Sequence, residues 1–326
     1  MLHPVPLLTA HMQKIPAFLF ELVRRCAVLK RGTTPAAFDL PPPVLLPGSA
    51  AVPAAAAPIP KILWTYWNQP QTDALTAQCM ASWRRHCPEH EIVLVHPDNI
   101  LEYVTPQDLP SAFFTLHPTK QSDWLRLYLV AHHGGYWFDA STVLTESLDW
   151  MAQCVAQQHC EMVGFYLQGF TRDARYPVIE SWAFGAPAHA AFMHAWQQEF
   201  HLALIVEGTE AYLARLQAQP DSAALLQGIA DPSYLLIHVT AQQVLRRQAH
   251  GPLALFKAED TAFHYHAALR WKWYLLYPQL CLAPAPATVP PLVKLRGGER
   301  RHFAEMFEQH GSAQQGSLWQ RACGKT

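Results

Sequence analysis

Residues Thr119–Asp149, TKQSDWLRLYLVAHHGGYWFDASTVLTESLD, decide the fold. Leu125, Tyr128, Leu129 and His132 recur at helical spacing on one face. Ser122 stands just ahead of the apolar run, where a hydroxyl caps free backbone N–H groups. Gly134-Gly135 ends the helix, because glycine accepts positive φ without a Cβ clash. Tyr136-Trp137-Phe138 is short and aromatic, as in a strand buried on both faces. Asp139 then emerges at the carboxyl end of that strand, the place where open α/β sheets set their ligands.

Asp123, Arg126 and Asp139 thus point to one crevice. Asp123 and Arg126 are three apart on a helix and project from neighbouring positions. Two readings are open for that pair. One is a helix-start acid with a local ion pair worth a few tenths of a kcal/mol. The other is a ligand site, favoured by the glycine pair and by an acid at a strand end. Burying an unpaired carboxylate is costly, so Asp139 needs a partner. A cation, a sugar hydroxyl or a backbone N–H would serve.

The segment SDWLRLYLVAHHGGYWFDAST resembles the S-D-x-x-R…G-G-x-[YW]-x-D-x-[DST] signature of nucleotide-sugar glycosyltransferases with the GT-A fold, and is most similar to the capsular polysaccharide synthesis branch. IPKILWTYWNQP at 59–70 and VIESWAFGAPAHAAFMHAW at 178–196 fit the same branch, so the resemblance runs from about residue 58 to 300. It implies an α/β fold with a GT-A-like, Rossmann-like mixed sheet flanked by helices, preceded by an N-terminal helix and a Pro-rich linker. It implies a bacterial transferase that moves a sugar from a nucleotide-sugar donor to a capsular or surface polysaccharide or to a lipid-linked oligosaccharide. The implied catalytic residues are Asp139 and Glu180; Glu180 can also simply pair with Arg172 or Arg175. The implied donor-binding residues are Trp64, Tyr66, Asp123, Arg126, Gly134, Gly135 and Lys294. A divalent cation, manganese or magnesium, is expected on Asp139, Ser141 and His238. Asp139-Ala140-Ser141 departs from a full Asp-x-Asp motif, and a hydroxyl is a weaker, neutral donor than the missing acid. That departure motivates the rival reading, a non-catalytic nucleotide- or sugar-binding factor of polysaccharide assembly. His238 is open to a second reading as a satisfied core histidine, and His264 and His266 are rival candidates for the same contact; two apart, they would share one face of a strand but not of a helix.

Composition sets the class. The 326 residues are 50% hydrophobic and 15% charged, which a folded chain with a substantial core requires. The formal charge of −1 supplies no field for nucleic acid. Seven cysteines, without a C-x-x-C pair, read as reduced thiols. With no secretory signal and no run of eighteen apolar residues, a cytoplasmic protein is expected.

In chain order, 1–34 reads as a helical segment whose residues 11–31 are apolar and edged with Lys and Arg. Such a helix can lie on an anionic membrane face or pack onto the catalytic domain. Residues 35–58 are rich in Pro and Ala and read as a semi-rigid linker. The catalytic domain is expected over 59–300 and a tail over 301–326. Strands at 61–66 and 91–96 flank a helix over 72–86, the size of a βαβ unit with parallel strands. Trp64, Tyr66 and Trp67 lie near the end of the first strand, where a base would stack or a core would form. Further strands are expected at 161–167 and 178–186, and helices at 187–206 and 233–247. Lys294 and Arg296, followed by glycines, suit a mobile lid over a diphosphate or a solvated basic tail. No G-x-G-x-x-G follows the first strand, which disfavours a dinucleotide oxidoreductase.

Overall fold

The structure is a computed structural model, and it describes residues 38–48 and 57–324 apart from Gln248 and Ser312, together with Leu19, Leu22 and Cys26. The amphipathic segment 11–31 otherwise lies outside the described residues, as do 35–37 and 49–56 of the expected linker. Its strands are β1 (Val44–Leu46), β2 (Ile62–Tyr66), β3 (Glu91–Val95), β4 (Gly135–Phe138), β5 (Thr142–Leu144), β6 (Met162–Tyr166), β7 (Ile179–Ala186), β8 (Leu253–Lys257) and β9 (Leu292–Lys294). Its helices are α1 (Ala74–His86), α2 (Pro118–His133), α3 (Asp149–Gln158), α4 (Ala191–His201), α5 (Thr209–Gln217), α6 (Ser222–Leu226), α7 (Leu236–Arg247), α8 (His264–Ala268), α9 (Gly297–His310) and α10 (Leu318–Cys323).

The main sheet runs β1-β8-β6-β7-β4-β2-β3. β2 pairs in parallel with β3 and β4, whereas β7 is antiparallel to both β4 and β6. The sheet is therefore mixed, with helices on both faces, as expected. β4 sits inside it, which is why it is aromatic throughout: Trp137 packs with α2, α4 and α7, and Tyr136 and Phe138 pack on the opposite face with α1 and α3. By the same alternation, Asp139 continues on the Trp137 side, toward α2.

Four expectations change. Helix α2 begins at Pro118, four residues before Ser122, with the His117 ring accepting the Thr119 N–H. Proline is at home in a first turn, where its missing N–H has no partner to lose. Residues 44–46 of the expected linker form β1, antiparallel to β8, and cover an otherwise open sheet edge. His264 and His266 lie in a short helix, not a strand; the buried His266 ring pairs with Glu299 at 2.9 Å. The segment after 300 continues α9 and adds α10, whose Phe303, Met306, Leu318 and Trp319 are buried in a third cluster with β5 and β9. Those apolar positions recur at helical spacing, and they bind the segment to the fold. No helix among the described residues is long and apolar enough to cross a membrane.

Candidate active site

Three elements deliver the charged groups. α2 presents Asp123 and Arg126, β4 delivers Asp139 as the residue just past its end, and β9 carries Lys294 into the same space through its pairing with β5, in which Thr142 faces Lys294. Strand β7 adds Glu180, Ser181 and Trp182 beside them; the Asp139 N–H donates to the Trp182 carbonyl at 2.8 Å.

Arg126 is the hub. Its Nη2 stands 3.2 Å from Asp123 Oδ1 and 3.2 Å from Asp139 Oδ1. Nη1 donates to the Ser181 carbonyl and hydroxyl, and Nε and Nη2 donate to the Ser122 carbonyl and hydroxyl. The guanidinium also lies over the Trp137 ring, 5.2 Å from its centroid. A rigid fork of donors is used on every side, which lysine could not reproduce. Asp123 and Arg126 are each 4% exposed, so they are no surface pair. The Asp139 side chain, at 28%, is the open carboxylate of the cluster.

Lys294 closes the other side. Its Nζ lies 3.2 Å from Asp139 Oδ2, and it donates to Ser141 Oγ at 2.7 Å and to the Leu295 carbonyl at 3.0 Å. Ser141 Oγ donates in turn to the Leu295 carbonyl at 3.0 Å. Lys294 is thus buried in a strand, not carried on a mobile lid. Lys120, 3.9 Å from Asp123 Oδ2, adds a third cation, so the cluster keeps one positive charge in excess.

These surroundings set the protonation. Burial raises both aspartates, but Arg126 and Lys294 outweigh it at Asp139, whose carboxyl lies below its ordinary range. At Asp123 burial prevails over Arg126 and Lys120, and the carboxyl lies above its range. Burial lifts Glu180 to about 7, against the pull of Trp182 and Lys294. Trp182 Nε1 is buried and makes no hydrogen bond among the described residues. Burial lowers His238 to about 4. Its Nδ1 faces the Ile179 carbonyl at 2.7 Å. A carbonyl only accepts, so Nδ1 carries the proton and Nε2 of the neutral ring is an acceptor.

Two cavities meet at this cluster. The larger, about 740 Å³, is lined by Asp123, Glu180, Trp182, His238, Phe263 and Trp271. The smaller, about 440 Å³, is lined by Tyr66, Trp67, Asn68, Ser141 and Arg300. Arg126, Asp139, Lys294 and Gly297 belong to the walls of both.

Most of the expected site residues therefore come together, but three do not. Trp64 is 3% exposed, donates to the Gly134 carbonyl at 2.8 Å and packs on Tyr103. It is a core residue, and no base can reach it. Gly134 and Gly135 lie at the amino end of β4, away from Asp139, with φ of +67° and +98°. A Cβ there would meet Ala188 N at 2.4 Å and Ile62 O at 2.6 Å, so both are needed for the turn rather than for a ligand. Tyr66 stays at the smaller cavity, its hydroxyl bound to Gln121 Oε1. Trp67, one residue beyond the strand, lines that cavity with the Arg300 guanidinium 5.5 Å from its ring. Trp271 had no motif to reveal it; Lys120 and Ser181 lie in quoted stretches, and Arg300 at the end of the expected domain, without being singled out.

The divalent cation implied by the resemblance does not fit this donor set. Each Asp139 oxygen already faces a cation, and the Ser141 hydroxyl is used both as donor and as acceptor. A divalent ion there would have to displace Lys294 or Arg126 from Asp139, and of the three expected ligands only His238 Nε2 faces no cation. Among the described residues, no three or more His, Cys, Asp and Glu side chains are grouped to hold a metal ion.

Residues 54–206 match the model of the family described as capsular polysaccharide synthesis protein. No curated protein matches the chain. Among solved structures, the chain is similar to the PaToxG glycosyltransferase, at 11% identity over 71% of this chain and 97% of that one, with a TM-score of 0.33. It is also similar to the glycosyltransferase GlyE of Streptococcus pneumoniae TIGR4, at 10% identity over 82% of this chain and 61% of that one, with a TM-score of 0.40.

Proposed function

We propose that this chain, glycosyltransferase-like in family and fold, transfers a sugar from a nucleotide-sugar donor to a hydroxyl of a surface glycan or lipid-linked oligosaccharide. The observation that carries the reading is the pair of cavities sharing Asp139, Arg126 and Lys294 as a common wall. A nucleotide sugar has the same layout: a base and ribose, a dianionic bridge, and a sugar beyond it. The smaller cavity, with Trp67 and Arg300, takes the nucleoside. Aromatic faces stack on any base, and Arg300 supplies charge for the diphosphate. The larger cavity takes the donor sugar and the acceptor.

Transfer breaks the bond from the anomeric carbon to the diphosphate oxygen and forms one to the acceptor oxygen. The electron pair stays on the diphosphate, whose growing charge faces Lys294, Arg296 and Arg300. Gly297 opens α9 on the wall of both cavities, and the positive end of that helix favours the same anion. Asp139 and His238 Nε2 accept hydrogen bonds from sugar hydroxyls. Glu180 takes the acceptor proton. A carboxyl held near 7 is suited to that step, since a general base works best close to the ambient pH.

The test is a panel of nucleotide sugars, followed by thermal shift and by release of nucleoside diphosphate. One donor class is expected to stabilise the protein and to turn over. Asp139→Asn is expected to keep the fold and to lower turnover at least about tenfold, a change of about 1.4 kcal/mol in the barrier. Binding without turnover under every condition would instead favour a nucleotide-binding assembly factor. Equal turnover by the Asp139→Asn variant would remove Asp139 from the site.

A further inference from the structure

We infer that Lys294 is the resident cation of the site and that the protein binds a nucleoside diphosphate without a divalent metal. The inference rests on the transferase reading and deepens it. An ammonium has three N–H groups, and those of Lys294 are directed at Asp139 Oδ2, Ser141 Oγ and the Leu295 carbonyl, at 3.2, 2.7 and 3.0 Å. The first two oxygens belong to the two ends of Asp139-Ala140-Ser141, where the fuller motif would offer two carboxylates to an ion. An ammonium therefore occupies, by covalent attachment to β9, the place between those two residues.

The side chains around it make the same case. Ser141 is neutral and directs its hydrogen at the Leu295 carbonyl, so it gives the ammonium an oxygen but no charge. An acid in its place would cancel the excess positive charge of the ion-paired cluster. Lys294 is placed by strand pairing, with Thr142, the neighbour of Ser141, as its direct partner across the ladder. The cation is thus fixed relative to the motif before any ligand arrives. Adding a divalent ion would set it against an ammonium and a guanidinium, with Asp139 as the single open carboxylate between them. Like charges at that spacing repel, and the diphosphate finds its counter-charge already present.

The experiment is calorimetric titration of the full chain with UDP, GDP, CDP and ADP, in EDTA and again in millimolar manganese. At least one nucleotide is expected to bind in EDTA, with affinity within about twofold of that in manganese. Binding at least tenfold tighter in manganese would overturn the inference and leave the transferase reading standing. Failure of every nucleotide in both conditions would overturn both. Lys294→Ala, checked for native near-UV dichroism, is expected to bind at least tenfold more weakly in EDTA and to recover part of that loss in manganese, which can then enter between Asp139 and Ser141. Wild-type affinity of that variant in EDTA would equally overturn the role of Lys294. Should the variant fail to fold, the wild-type comparison decides alone.

Discussion

Arg126 Nη1 stands 2.8 Å from both the carbonyl and the hydroxyl oxygen of Ser181, tying α2 to β7 at the mouth of the site. The same guanidinium holds Asp123 and Asp139, so one side chain fixes three elements. Its loss is expected to act first on the fold and only then on binding.

Arg126→Lys keeps the charge but has no fork to divide among Ser122, Ser181 and two carboxylates. Breaking a buried charged network of this kind costs about 3 kcal/mol. A clearly lower urea midpoint is expected, where losing an exposed helix pair would cost less than about 1 kcal/mol of stability. A midpoint equal to the wild type would show that the cluster contributes little to stability.

Glu180 and His238 give opposite pH signatures. The folded-state pKa of Glu180 is raised to about 7, so its stability contribution is present at low pH and is lost as pH rises from the ordinary glutamate value of 4.5 through 7. The folded-state pKa of His238 is lowered to about 4, so stability is lost as pH falls from 6.5 through 4. Glu180→Gln is expected to gain stability over the wild type at pH 8, and His238→Gln to flatten the acid limb. Turnover of the wild type should rise through about pH 7, and the Glu180→Gln variant should lack that limb. An unchanged pH profile would exclude Glu180 as the base.

Gly134→Ala puts a Cβ 2.4 Å from Ala188 N at a φ of +67°. Stability is expected to fall by more than about 1 kcal/mol, since alanine is strained at positive φ. Nucleotide affinity of the folded fraction should match the wild type. A loss of affinity without loss of stability would return the glycine pair to the binding site.

The two neighbouring tryptophans separate in the same way. Trp64→Phe removes the hydrogen bond to the Gly134 carbonyl, leaves that buried acceptor unpaired and is expected to cost about 1–3 kcal/mol of stability. Trp67→Ala should leave the melting temperature nearly unchanged and weaken nucleoside diphosphate binding. Equal affinity in Trp67→Ala would place the base elsewhere.

The sheet is legible in the sequence because its strands are short, apolar and bounded by turn residues. Ile62–Tyr66, Glu91–Val95 and Ile179–Ala186 are observed within a residue or two of where the pattern puts them. Asp123, Arg126 and Asp139 are legible because they sit in one local unit of helix, turn and strand. Burial is harder to read: Trp64 and Tyr66 differ in role although both are aromatic, and only the strand's neighbours decide which reaches a cavity. Start signals compete locally, so His117, just ahead of Pro118, makes the cap that Ser122 could have made. The meeting of Lys294 with Ser141 depends on a ladder between distant segments, and no local periodicity encodes it. Trp271 and Arg300 are equally remote from the motif, and each gains meaning only from the wall it lines.

The pairing of β5 with β9 also sets when the site comes into being. A ribosome releases Asp123, Arg126 and Asp139 long before it has made Lys294, and pairings between distant segments form late. Until β9 arrives, Asp139 has Arg126 as its counter-ion, and the face of β5 that pairs with β9 is bare. A nascent chain stalled before residue 292 would therefore hold the whole seven-stranded sheet and a crevice in which Arg126 and Lys120 merely balance Asp123 and Asp139, a form suited to a chaperone rather than to a substrate. Of the described strands, β9 is the one whose arrival gives the pocket its second cation on Asp139.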